Sequence, residues 1–344
     1  MSALPAVARP GFGPDPQLPG FVQIEVVGQC NLRCTMCAIQ FRRDGPPHGP
    51  LAFMPFDRFV ALLDQFPGLR ELHLQGLGEP TMHPRFFDMI SHATQRGFRV
   101  STNSNLTLWS ERRARQCAES GLAELSVSLD AADPAIYERI RRGAHFGKVL
   151  RNLRRVMAAR AAARSQMDVR IVMVLMKQNL RDLPALVRLA ADEGVMRVFV
   201  QHLCHDFAEG TLPAEYKPIR SFVHDETLSG MSGAAIDAAF AEARAIAAAN
   251  GVELRLPRLS GAPAPRPQPP RCDWPWRGAY ISYRGDAMPC CMVGTPDRAS
   301  FGNMIEDGVH AVWHNAAYQD FRARLASPSP PAICRSCSLY RGTF

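Results

Sequence analysis

Apolar and polar positions alternate along the chain in a repeating rhythm of short hydrophobic runs and amphipathic stretches. The run Val22–Val27 predicts a buried strand. A loop follows over 41–54, marked by Arg42, Arg43, Asp44, Gly45, Pro46, Pro47 and Gly49. A helix then fits Pro55–Gln65, with Phe59, Leu62 and Leu63 on one face. The same logic predicts strands at Leu69–Gln75, Phe98–Thr102, Glu124–Ser128, Val169–Leu175 and Arg197–Gln201. Helical stretches at Phe86–Arg96, Ser110–Ser120, Pro134–Ala163 and Leu183–Glu193 separate them. Six strand–helix units predict parallel strands joined by right-handed crossovers. The expected class is α/β, a partial (β/α)6 TIM-like barrel open on one side, with its chemistry at the C-terminal strand ends.

Beyond the sixth strand the rhythm changes. Asp206–Met231 is a polar stretch. An alanine-rich helix fits Ala234–Asn250, stops at Gly251, and leads to a short strand at Val252–Leu256. Pro257–Arg271 holds Pro263, Pro265, Pro267, Pro269 and Pro270 and reads as an extended linker. The remainder predicts a hairpin, Ala279–Tyr283 and Ala287–Pro289 around Arg284-Gly285-Asp286. A helix carrying Val312, Trp313, Tyr318, Phe321 and Leu325 follows. The expected division is a Pro/Gly-rich lead-in over 1–20, the barrel over 21–205, a helical segment and linker over 206–271, and a small α+β domain over 272–344.

Composition narrows the function. The 344 residues carry a formal charge of +8, from 40 basic against 32 acidic side chains. The excess is mild and forms no dense basic block with interleaved aromatics, so no nucleic-acid partner is expected. No run of about 18 apolar residues predicts a membrane span, and Met1–Gly20 has no apolar core of a signal peptide. The ten cysteines cluster at 30–37 and 272–337, with Cys117 and Cys204 apart. That clustering in a large chain reads as metal binding in the reducing cytoplasm, not as a disulfide framework.

Cys30, Cys34 and Cys37 follow the first strand at spacing C-x3-C-x2-C. Three close thiols with no fourth nearby suit a [4Fe–4S] cluster with one open iron. Structural zinc would need a distant fourth ligand, and three cysteines this close cannot pair well as disulfides. The second strand ends in Gly76-Leu77-Gly78-Glu79-Pro80, where glycines allow close backbone approach to a ligand. Together these motifs resemble the radical S-adenosylmethionine (SAM) superfamily, in which Met36 also fits and Gly76, Gly78, Glu79 and Pro80 correspond to the Gly-Gly-Glu-Pro motif. The resemblance implies that the open iron binds SAM, that its cleavage yields a 5′-deoxyadenosyl radical, and that a flavodoxin or ferredoxin-type protein supplies the electron.

Other polar residues fall at strand ends. Thr102, Asn103 and Ser104 either contact SAM or substrate or make turn chemistry. Ser128 shares a strand face with Ser126 and is a candidate partner for SAM. Asp130 binds substrate or caps the next helix. Arg141 or Arg142 can pair with the SAM carboxylate or belong to a solvated face. His202, Cys204 and His205 are substrate-side candidates or ordinary loop residues, and Cys117 is expected to be a buried structural thiol.

Cys272, Cys290, Cys334 and Cys337 can hold a second [4Fe–4S] cluster, with Cys291 an alternative to Cys290; a zinc ribbon is the competing expectation. This part, with its Pro-Cys-Cys, Gly-Asn and Trp-His-Asn elements, resembles the SPASM/twitch extension of radical SAM enzymes. Its single-cluster pattern looks most like the enzymes related to 2-deoxy-scyllo-inosamine dehydrogenase. The resemblance implies two [4Fe–4S] clusters, SAM, and oxidation of a small sugar-like or cyclitol metabolite with the second cluster as electron acceptor. A peptide maturase that cross-links or epimerises a residue is the alternative within the enzyme class. An iron–sulfur electron carrier or zinc scaffold is the alternative outside it.

Overall fold

The computed structural model describes residues 13, 15–43, 50–203, 207–258 and 272–342. Most of the lead-in, Asp44–Gly49, Cys204, His205 and most of the Pro-rich linker lie outside the described residues.

The strand–helix alternation comes out as expected. In chain order the elements are β1 Phe21–Ile24, α1 Phe56–Asp64, β2 Glu71–Leu74, α2 Phe86–Gln95, β3 Arg99–Ser104, α3 Glu111–Glu119 and β4 Glu124–Ser128. Then come α4 Pro134–Ile140, α5 Phe146–Ala162, β5 Asp168–Leu175, α6 Leu183–Asp192, β6 Arg197–His202, α7 Lys217–Glu226, α8 Gly233–Asn250 and β7 Glu253–Arg255. The C-terminal part adds α9 Trp274–Arg277, β8 Gly278–Ile281, β9 Ala287–Met288, α10 Val309–Trp313, α11 Ala316–Leu325 and α12 Ser338–Arg341.

All nine strands form one sheet in the order β7-β6-β5-β4-β3-β2-β1-β8-β9. Strands β1 to β6 form the expected partial barrel, parallel in sequence order, and the short strand β7, expected outside it, adds a seventh parallel strand beside β6. The C-terminal hairpin continues this sheet: β8 pairs parallel to β1, with Gln23 opposite Tyr280, and β9 returns antiparallel. Apolar side chains of the helices that follow, such as Trp313 in α10 and Tyr318 in α11, join the same buried cluster as the barrel core.

Several expectations are refined. The helical stretch Pro134–Ala163 is two helices, because Gly143 takes φ +92° between them. The polar stretch after β6 contains α7, whose Ile219 and Val223 pack with Phe207 and Tyr216 in a separate small cluster. The single C-terminal helix is α10 and α11, restarted where the Asn315 side chain accepts from Tyr318 N–H. Residues 15–20 of the lead-in are tied down: Pro16 C=O accepts from Trp313 Nε1 at 3.1 Å, and Gly20 C=O accepts from Arg70 and Glu71 N–H.

Candidate functional site

The C-terminal strand ends converge on one cavity. Its wall includes Cys30, Cys34, Met36 and Cys37 after β1, Gln75–Pro80 after β2, Asn103–Asn105 at the end of β3, and Ser128 at the end of β4. Arg141 from the end of α4 and Gln201 from β6 also line it. Cys291–Gly294 and Arg298 close it from the C-terminal part.

The cysteine loop is held by its backbone. Arg33 and Thr35 N–H donate to the carbonyls of Arg142 and Ile140 at 3.0 and 2.9 Å. The Arg33 guanidinium donates back to the Cys30 and Leu32 carbonyls. This folds the loop so that its three free thiols share the cavity. Leu32 N–H and Asn105 Nδ2 point at Cys30 Sγ, and Arg141 Nη1 approaches Cys34 Sγ at 4.0 Å. Burial raises all three thiol pKa values, that of Cys34 to about 12 despite the nearby Arg141. Thiols so desolvated ionise when a cationic centre binds them, which fits an iron–sulfur cluster.

The glycine loop lies against the cysteine loop. Glu79 N–H donates to Gln29 C=O at 3.1 Å. The Glu79 carboxylate is buried, which pushes its pKa up; hydrogen bonds from Asn105 N–H, Thr81 and Ser104 counter that push. Its Oε1 accepts from Thr81 Oγ1 and Ser104 Oγ at 2.6 and 2.7 Å, and its Oε2 from Asn105 N–H at 2.8 Å. Glu79 thus braces the loop from within the protein. Ser104 lines the cavity, but its hydroxyl also accepts from Trp109 Nε1 and Leu106 N–H, so it holds Glu79 in place. Pro80 opens a short 3-10 turn capped by Glu79.

The remaining candidates separate. Ser128 and Asn103 face the cavity. Thr102 is buried outside the cavity wall, its hydroxyl donating to Leu74 C=O at 2.7 Å. Asp130 does not cap the next helix: Asp133 does, accepting from Ile136 N–H at 2.9 Å. Asp130 is fully buried, accepts from Val174 N–H at 2.8 Å and forms an ion pair with Arg141 Nε at 2.7 Å. Arg141 is therefore buried at the cavity wall, whereas Arg142 is exposed. Cys117 sits in the core against Met167, the structural place expected of it.

The second thiol set is assembled from distant segments. Burial drives the Cys290 thiol pKa well up, and Cys291, Cys337, Cys272 and Cys334 all lie near enough to raise it further. Cys334 feels Cys272 and Cys337. Five thiols thus share one partly buried neighbourhood, a donor set that fits a fully cysteine-ligated cluster. Of the two adjacent cysteines, Cys291 is the one in the wall of the shared cavity.

Sequence patterns gave no hint of the closing segment. Arg298 Nε donates to Glu209 Oε1 at 2.8 Å in a buried ion pair, and the Tyr216 hydroxyl donates to Thr295 Oγ1 at 2.8 Å. These contacts fasten the segment after β6 to the loop that follows Cys291. Their partners are some 80 residues apart, so no local signal marks them.

Comparisons with known proteins agree with this geometry. Residues 24–190 match the model of the Radical SAM superfamily, and residues 272–338 match that of an iron–sulfur cluster-binding domain, SPASM. The chain is 26% identical over 338 residues to the tungsten-containing aldehyde ferredoxin oxidoreductase cofactor-modifying protein of Pyrococcus furiosus, covering 93% of this chain and 87% of that protein. It is 26% identical over 325 residues to the PqqA peptide cyclase of Xanthomonas euvesicatoria, covering 92% and 79%. Among solved structures it is similar in fold to SuiB of Streptococcus suis bound to S-adenosylmethionine, with a TM-score of 0.68 at 15% identity, covering 94% of this chain and 72% of that one. It is likewise similar to anSMEcpe with bound AdoMet, with a TM-score of 0.63 at 16% identity, covering 94% and 84%. A radical SAM domain implies a [4Fe–4S] cluster and SAM, and a SPASM domain implies additional iron–sulfur clusters. The barrel part of the chain is thus similar to radical SAM domains, and its C-terminal part to SPASM iron–sulfur domains.

Proposed function

We propose that this protein modifies a peptide by radical chemistry in the cavity between the two thiol sets. The observation that carries the proposal is that Cys291–Gly294 and Arg298 form part of the same cavity wall as Cys30, Cys34, Cys37 and the glycine loop. A substrate held there lies between both cluster sites. The PqqA peptide cyclases that the chain resembles over most of its length act on a peptide by name, which supports a peptide over the sugar-like or cyclitol metabolite expected from the cysteine count.

The residue assignments are part of the proposal. Cys30, Cys34 and Cys37 hold the first cluster. Cys272, Cys290, Cys334 and Cys337 hold the second, so the domain bounds drawn from the sequence separate two cluster-bearing parts. Gly76, Gly78 and Pro80 shape the loop that receives SAM, braced by Glu79 and Ser104. Ser128 and Arg141 supply polar contacts from the cavity wall. When bound, the cluster and SAM supply a carbon radical able to take hydrogen from an unactivated C–H bond. The chain's own share is to orient that chemistry and to exclude water: Arg141, held by Asp130, places positive charge beside Cys34, and the Arg298–Glu209 and Tyr216–Thr295 contacts keep the cavity roofed. A flavodoxin or ferredoxin-type reductant would deliver the electron.

The test is anaerobic. Reconstituted, reduced protein is given SAM together with short peptides encoded beside its gene or, in parallel, cyclitols and amino sugars. Peptide-dependent formation of 5′-deoxyadenosine, with a mass change on the peptide, is the expected result. Turnover with the cyclitols and none with the peptides would reject the peptide reading.

A further inference from the structure

Glu25 breaks the apolar run that predicts the first strand, and its carboxylate is fully buried. An isolated carboxylate is not stable there. Its partner is Arg42, also buried, on the far side of the cysteine loop. The two form a fork-to-fork pair: Arg42 Nη1 to Glu25 Oε1 at 2.8 Å and Nη2 to Oε2 at 3.0 Å. Arg42 Nη1 also donates to Gly28 C=O at 3.3 Å. Glu25 Oε1 further accepts from Leu77 N–H at 2.9 Å and Gly78 N–H at 3.4 Å. The carboxylate therefore sits directly behind the glycine loop. A Cβ on Gly76 would overlap the Glu25 side chain, and one on Gly78 would overlap the Val27 and Gln29 carbonyl oxygens.

Residues 25 and 42 bracket the three thiols, and the same carboxylate grips the loop proposed to receive SAM. Replacing a buried ion pair by apolar groups is often neutral or stabilising, so stability alone does not account for this pair. What a bidentate guanidinium–carboxylate pair adds is direction.

We propose that Glu25 and Arg42 are positioning residues that fix the Gly76–Pro80 loop relative to the cysteine loop and thereby set SAM affinity; this rests on that loop being the SAM-binding one. Neither residue touches the reacting atoms. They hold the N–H groups of Leu77 and Gly78 from behind, leaving the cavity side of the loop for the ligand.

The test uses the full chain, reconstituted anaerobically. Glu25→Gln keeps the shape but loses the ion pair. The double variant Glu25→Leu with Arg42→Met removes both charges and avoids stranding a buried guanidinium. Each variant is measured for iron content, thermal unfolding, SAM Kd by equilibrium dialysis, and amide hydrogen exchange of the 75–79 segment. Both should fold and keep the iron of wild type, exchange faster at 75–79, and bind SAM at least tenfold more weakly; Arg42→Lys should fall between. Wild-type Kd in the folded double variant would overturn the proposal, as would iron loss in proportion to the loss of SAM binding, which would make the pair a support of the cysteine loop alone. Gly78→Val serves as the control. If it weakens SAM binding while the double variant does not, the clamp is wrong; if neither weakens it, the loop assignment is wrong and the clamp falls with it.

Discussion

Cys30, Cys34 and Cys37 come from one short loop after β1, whereas Cys272, Cys290, Cys334 and Cys337 come from three segments that meet only when the C-terminal part folds. The first set is organised by local geometry: a strand delivers the loop, and backbone bonds to the end of α4 close it. The second set is organised by packing. A hairpin that extends the barrel sheet brings Cys290 and Cys291, and the turn before α12 brings Cys334 and Cys337. A contiguous thiol loop leaves one iron free for a ligand. A dispersed set can surround its cluster completely, which suits electron transfer. The shared cavity places one beside the other.

The largest expected effect separates the two sites outright. Changing Cys30, Cys34 and Cys37 together to Ala should abolish 5′-deoxyadenosine formation and leave about four of about eight irons per chain, counting four per cubane. Iron and sulfide analysis reads this directly. Iron near zero in that variant would mean that the C-terminal thiols hold no independent cluster.

The reverse experiment sharpens the comparison. Cys334→Ala with Cys337→Ala should retain the first cluster and slow 5′-deoxyadenosine formation only a few-fold, while modified product falls on the order of a hundredfold, about 2.7 kcal/mol at 1.36 kcal/mol per tenfold. Circular dichroism on the same variant is needed, since small metal-bound domains can depend on the metal to fold. Product at the wild-type rate in the folded variant would leave the second cluster with a structural role only.

The adjacent pair Cys290 and Cys291 offers a finer cut. Cys290 has all four other C-terminal thiols around it, while Cys291 lines the cavity. Cys290→Ser should lower the iron content of the second site by more than half. Cys291→Ser should leave iron unchanged and alter product formation instead. The opposite pattern would exchange the two roles.

The smallest effect concerns the roof between the two regions. Tyr216→Phe removes the bonds to Thr295 and Asp297 without opening space. A loss of about 2 kcal/mol of stability is expected, two hydrogen bonds at a usual net worth of about 1 kcal/mol each. Denaturant unfolding would show it, and iron content should not change.

The sequence alone determined the α/β class, the order of strands and helices as far as β6, and the grouping of the cysteines. Those features are local: strand and helix periods appear within ten or so residues, and C-x3-C-x2-C and Gly76–Pro80 are short motifs. Ser128, a candidate SAM partner in the sequence, lies in the cavity wall. What only the tertiary structure decided involves contacts between distant segments. Asp130 turned from the helix it was expected to cap because Val174 N–H and Arg141 lie within its reach once β4, β5 and α4 are packed. Glu25 lies inside the run Val22–Val27, and only the tertiary structure brings Arg42 and the glycine loop to either side of its carboxylate. The C-terminal hairpin joined the barrel sheet through the exposed edge of β1, a backbone pairing that side-chain patterns do not encode. Residue type and spacing record what a segment can bury or bend. They do not record which distant partner will satisfy a buried charge or a free sheet edge, and in this protein those partners assemble the cavity.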